Sequence, residues 1–126
     1  MKKATRPWVR KAEDDYQTAR RLLDGKTRLH DQICFHCQQA AEKYLKAILQ
    51  EQGAAVPRSH DLPDLHHLLL AHNPSLRGLR RSLVFLTQFA VDFRYPGAYA
   101  TARQARAAFR NLERVRQEAR HLLQLP

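Results

Sequence analysis

Between Cys34 and Gln50 the chain runs Cys34-Phe35-His36-Cys37-Gln38-Gln39-Ala40-Ala41-Glu42-Lys43-Tyr44-Leu45-Lys46-Ala47-Ile48-Leu49-Gln50, without a glycine, a proline or any alternation of period two. Placed on a helical wheel at ~100° per residue, Ile33, Cys37, Ala40, Tyr44, Ala47 and Ile48 fall on one side. His36, Gln39, Lys43, Lys46 and Gln50 fall on the other. No stretch elsewhere reads as a strand. Valine occurs only at positions 9, 56, 84, 91 and 115, and isoleucine only at 33 and 48. The chain therefore has to solve its packing problem with helices alone.

Five helical segments account for nearly all of it. The first spans about Arg6 to Leu23, with Trp8, Ala12, Tyr16, Ala19, Leu22 and Leu23 as its buried stripe and Asp24-Gly25 as its stop. The second starts near His30-Asp31, with Asp31 as N-cap, and ends at Gly53. Ala54 to His60 form a loop. Asp61 caps a third helix, with Pro63 in its first turn and Asp64 near the positive end of the dipole; Leu62, Leu65, Leu68 and Leu69 are its apolar residues, and Asn73-Pro74 closes it. A fourth helix carries Leu76, Leu79, Leu83, Leu86, Ala90 and Phe93 at the spacing of a bundle seam, and Pro96-Gly97 ends it. The last, from about Tyr99 to Leu123, buries Ala102, Ala105, Phe109, Leu112, Ala119 and Leu122. Short loops between long amphipathic helices make antiparallel neighbours. The expectation is an all-α, single-domain up-and-down bundle of about five helices over residues 1–126. At that length one domain can bury a sufficient core.

Charge narrows the class of partner. The formal net charge is +10, and from Arg77 onward ten arginines face only Asp92, Glu113 and Glu118. Such an excess favours a polyanion, nucleic acid before acidic protein. Arginine also outnumbers lysine 16 to 6, which genome composition or a heat-adapted source would equally produce. No apolar run approaches the ~20 residues of a membrane span, and Met1 to Pro7 lack the apolar core of a signal peptide. We expect a cytoplasmic protein without a membrane partner. Cys34 and Cys37 form a C-x-x-C, but no second ligand pair accompanies them, and they lie on a helix near its apolar face. They read as reduced core thiols. The histidines show no ligand spacing, so neither a metal nor another cofactor is expected.

Three features could carry chemistry. Arg103, Arg106, Arg110, Arg114, Gln117 and His121 line one side of the last helix over ~27 Å, a row that could track a phosphate backbone or form a solvated face. Arg94-Tyr95-Pro96-Gly97-Ala98-Tyr99 is a corner, because Pro96 excludes Tyr95 from helical geometry and Gly97 permits a tight bend. Arg94 could hold a phosphate there while Tyr95 and Tyr99 stack on a base; alternatively the tyrosines pack inward and Arg94 bonds a carbonyl, Asp92 or Asp15. Asp15 projects into the apolar stripe of the first helix, either as partner to a basic side chain or as a site carboxylate. His36 and Lys43, on the polar side of the second helix, are further candidates.

The Cys34–Gln50 segment, Ser59-His60-Asp61-Leu62 and Phe93-Arg94-Tyr95-Pro96-Gly97 together resemble the HEPN family, from about Trp8 to the last helix. These are small helical domains associated with nucleotides, RNA and nucleotidyltransferase partners. The resemblance implies a homodimer, and Val84, Phe85, Phe89 and Val91, outside the main seam of the fourth helix, are apolar side chains free for it. Catalytic members are metal-independent endoribonucleases carrying an Arg, four to six residues, then a His. Two such motifs meet in a dimer cleft and promote attack of a ribose 2′-OH on the adjacent phosphate. Arg94 matches the Arg, but the His window holds Tyr99, Ala100 and Thr101. In the toxin–antitoxin branch a Tyr follows two residues after the His; Tyr99 stands at the His position and Thr101 at the Tyr position. Tyrosine, with a pKa near 10, is a poor base at neutral pH. His60 would substitute only if it lay beside Arg94, and otherwise braces the third helix. The reading is an RNA- or nucleotide-associated partner of a minimal nucleotidyltransferase. The alternatives are an endoribonuclease with a degenerate motif, with Arg94 and Tyr99 at its centre, and a structural dimeric module.

Overall fold

Pro7 sits in the first turn of α1 (Arg6–Asp24), where its missing N–H costs nothing and its fixed φ suits the helix. The computed structural model of the protein describes residues 1–91, 93 and 95–126, so Asp92 and Arg94 lie outside the described residues. Helix α1 buries Val9, Ala12, Tyr16 and Ala19, with Trp8, Leu22 and Leu23 at the edge of the core. Its N-terminal lead-in is fastened to the far end of α2 (His30–Glu51). The Thr5 hydroxyl and the Lys2 amide both donate to Glu51 Oε1, each at 2.8 Å. Gly53, at φ 74°, turns the chain after α2, and the Ala54 amide reaches back to the Leu49 carbonyl at 3.0 Å. A left-handed glycine with such a six-to-one bond is the usual way a helix disposes of its last carbonyls.

Helix α2 is the axis of the molecule, packing against α1, α3, α4 and α5. It is buried almost all round, and the polar side expected from the wheel is only partly polar in fact. Gln38, Glu42 and Lys46 are buried along with Ile33, Cys34, Cys37, Tyr44 and Ile48. Its N-cap position is Leu29, with no side-chain cap. Asp31, expected to cap it, instead accepts the Ala100 amide through Oδ1 at 2.6 Å. The carboxylate serves a chain segment 69 residues away, a contact that no local signal encodes.

Asp61 caps α3 (Leu62–Leu70) as expected, its carboxylate accepting the Asp64 amide. The buried His66 Nε2 donates to the Leu76 carbonyl at 2.7 Å, and a reciprocal amide pair between Asn73 and Gln52 joins the ends of α3 and α2. Beyond this point the expected fourth helix is not continuous. A 3₁₀ segment covers Pro74–Leu79, α4 runs only from Arg80 to Thr87, and a second 3₁₀ turn covers Gln88–Ala90. Pro74 and Gly78 weaken helical continuity at the start. The seam survives, with Leu76, Leu79, Leu83 and Leu86 all buried. At the end, tightening to three residues per turn puts residue i+3 above residue i. Phe89 therefore follows Leu86 into the core at 1% exposure, where Ala90 was expected, and Ala90 moves to the edge.

Helix α5 (Ala102–Leu122) starts three residues later than its sequence suggests, because Thr101 caps it. The Thr101 hydroxyl accepts the Gln104 amide and the Gln104 side chain accepts the Thr101 amide, a reciprocal box. Ala105, Ala108, Leu112, Val115 and Ala119 form the buried stripe, with Phe109 and Leu122 half-buried at its margin. All five helices contribute to one hydrophobic core, and among the described residues there is no strand. No helix is long and apolar enough to cross a membrane.

Candidate nucleotide-binding corner and its surroundings

The chain between α4 and α5 bends where Pro96 and Gly97 predict it, with Gly97 at φ 102°. This bend folds over the start of α2. It leaves a cavity of about 370 Å³ lined by Asp31, Gln32, Phe35, Phe93, Tyr95, Pro96 and Tyr99, within the range that small-molecule sites occupy. Phe93 is braced from behind by Phe89, ring centroids 5.0 Å apart. Tyr95 and Tyr99 are 66% and 74% exposed. Both tyrosines thus stand at the mouth and do not pack into the core. Four aromatic rings surround one opening, Phe93 backed by Phe89 and both tyrosines exposed to solvent, an arrangement that suits stacking on a planar ligand. The Arg94 assignment falls outside the described residues. Thr101, at the position of the family tyrosine, spends its hydroxyl on the α5 cap. His60 does not line this cavity.

Three other candidates are brought together. Asp15 accepts from His36 Nδ1 through Oδ1 at 2.9 Å and from Lys43 Nζ through Oδ2. All three are largely but not fully buried, at 14%, 29% and 22% side-chain exposure. Burial alone would push the Asp15 carboxyl up; the two donors outweigh it and hold the group below the usual carboxylate range. The carboxylate on the apolar stripe is therefore paired with basic side chains across the α1–α2 interface.

His60 has a different partner. Its Nδ1 lies 3.0 Å from Glu42 Oε1, and Glu42 also receives Gln38 at 3.2 Å and Lys46 at 3.1 Å. Lys46 in turn sits 5.8 Å from the Trp8 ring centroid. This line of buried polar groups was not legible as a cluster, although Gln38, Glu42 and Lys46 repeat every four residues. A second network on the opposite flank ties α1 to α5. Glu13 takes both Arg116 and Arg120, and Tyr16 donates to Glu113 at 2.9 Å beneath the Arg116 guanidinium.

That second network sorts the arginines of α5. Arg116 and Arg120 are consumed by Glu13, and Glu113 faces Tyr16. Arg103, Arg106, Arg110 and Arg114 are all exposed and form no ion pair with any described residue. They begin in the first turn of α5, four residues after Tyr99, and continue along the helix away from its start. Cys34 and Cys37 are free, buried thiols, and burial, with the Asp31 charge adding to it, pushes Cys34 up to about 12. Neither is a nucleophile at neutral pH. Among the described residues no group of three or more His, Cys, Asp or Glu side chains is arranged to hold a metal ion.

The HEPN domain family model matches residues 5–122. The chain belongs to the HEPN domain family. Its fold is similar to that of TT1696 from Thermus thermophilus, with a TM-score of 0.81 and 24% identity over 94% of this chain and 97% of that one. It is also similar to ST0689, an archaeal HEPN homologue, with a TM-score of 0.73 and 29% identity over 96% of this chain and 98% of that one. Comparison with curated proteins found no match. As a HEPN domain the protein falls in a family linked to RNA and nucleotides, and the corner before α5 is where its geometry best suits such a ligand.

Proposed function

We propose that this HEPN domain is the RNA- or nucleotide-associated half of a cytoplasmic two-component system of the toxin–antitoxin type, acting as a homodimer with a separate minimal nucleotidyltransferase. The observation that carries the binding reading is the aromatic corner at the head of an exposed arginine row that forms no ion pair among the described residues. A base stacks among Phe35, Phe93, Tyr95 and Tyr99, and the strand continues along Arg103, Arg106, Arg110 and Arg114, whose guanidinium forks suit phosphate oxygens. The nucleotidyltransferase and the second copy rest on the sequence resemblance.

The test is binding of a fluorescent single-stranded oligoribonucleotide across a salt series. Replacing the four arginines with Gln lowers affinity and reduces the salt slope by roughly three units, since each phosphate contact on a single strand contributes ~0.7. Tyr99→Ala weakens binding without changing the slope, because stacking releases no counterion. An unchanged slope in the quadruple variant overturns the arginine face as the binding surface. For the partner, affinity capture at native expression level recovers a nucleotidyltransferase; recovery of the HEPN chain alone overturns that half of the reading.

A further inference from the structure

The aromatic corner also has a polar edge, and its chemistry is selective. Asp31 and Gln32, adjacent at the start of α2, both line the cavity. Asp31 Oδ1 already accepts the Ala100 amide at 2.6 Å, which fixes the carboxylate to the corner it faces. Oδ1 keeps a second lone pair, and Oδ2 has no partner among the described residues. A carboxylate offers acceptors only, and a glutamine amide offers a donor beside it. The Gln32 amide also carries a carbonyl oxygen, and with its NH2 group turned inward the pair sets a donor beside the two carboxylate acceptors, facing whatever base stacks in the opening.

We propose that this corner selects guanine, as an RNA base or a free guanine nucleotide. This rests on the binding reading above and specifies its ligand. Guanine alone carries two adjacent donors, N1–H and the 2-amino group, beside an acceptor, O6. The two donors pair with the two oxygens of Asp31, and O6 accepts from the Gln32 amide. Adenine and cytosine each offer a single amino group to the carboxylate, flanked by a ring acceptor that faces it unfavourably. Uracil offers one N–H between two carbonyls, which repel it.

The probes are nucleoside 5′-monophosphates, followed by calorimetry and by shifts of the tyrosine NMR resonances. GMP binds about ten- to a hundredfold more tightly than AMP, CMP or UMP, the discrimination a good bidentate pair gives. IMP, which lacks the 2-amino group, loses much of that advantage. Asp31→Asn keeps an oxygen for the Ala100 amide and replaces the other with a donor, so it reverses the preference between GMP and XMP, whose C2 carries an acceptor. Gln32→Leu, at an exposed position, weakens GMP without touching the Ala100 contact, and so tests the edge even where Asp31→Asn perturbs folding. Equal affinity for all four bases, abolished by Tyr99→Ala, overturns guanine selection and leaves the stacking corner standing. Absence of any tyrosine shift with any nucleotide overturns both.

Discussion

Asp15 accepts from two basic side chains at once, and Glu13, two residues earlier on α1, accepts from two arginines of α5. In both cases burial pushes the carboxyl up and the donors pull it below its ordinary range; for Glu13 these are Arg116 and Arg120. A depressed folded-state pKa contributes stability that is fully present above the unfolded value, about 4, and is lost as pH falls through the folded one. The urea midpoint is therefore flat above about pH 5 and declines below pH 4. Asp15→Asn lowers stability at pH 7 and flattens that acid limb. An acid limb identical to that of wild type would show that Asp15 does not titrate differently in the two states.

Among the helices, α2 is the most demanding because it has no solvent side for much of its length. The Lys46–Glu42 pair, with each side chain 5% exposed, is closed over by Trp8 of α1 and by His60 of the loop before α3. Removing one member of a buried pair strands the other charge, at about 3–5 kcal/mol, whereas removing both is close to neutral. Lys46→Met thus costs about that much in chemical denaturation, and Glu42→Leu with Lys46→Met together cost far less. A double variant no better than Lys46→Met would mean that Glu42 is needed for Gln38 and His60, independently of the lysine. The interrupted α4 teaches a related lesson. A shift from 3.6 to 3 residues per turn exchanged Ala90 for Phe89 in the core, a change worth one large aromatic side chain.

Across the assembled bundle, charge and apolar surface pull in opposite directions. The net charge of +10 opposes self-association, yet Val84 and Val91 are 48% and 54% exposed, with Phe85 half-buried beside them. Phe89, expected among these outward apolar residues, is not available to a second copy. Homodimerisation, carried over from the family resemblance, is checked by sedimentation at tens of micromolar. The expected species has twice the chain mass of 14.7 kDa, and added salt strengthens it by screening the like charges. A monomer at every salt concentration would remove the dimer from the proposal.

Periodicity, caps and breakers are local, so the order of residues alone set the all-helical class, most helix boundaries, the Asp61 cap, the Pro96-Gly97 bend and the outward row from Arg103 to Arg114. It also placed Asp15 on an apolar face, where physics requires a partner. Which partner was a matter of packing, because His36 and Lys43 reach it only once α1 lies against α2. The same holds for Asp31, whose role as a cap was locally plausible until the chain returned 69 residues later with the Ala100 amide. Lys46 looked solvated on an isolated helix and is buried because α2 is surrounded. The aromatic corner divides in the same way. Its tyrosines were legible at the bend, but Asp31, Gln32 and Phe35 join them only because packing sets the start of α2 beneath the entry to α5. A pattern of period 3.6 fixes which way a side chain leaves its own helix; what meets it there is fixed by the other helices.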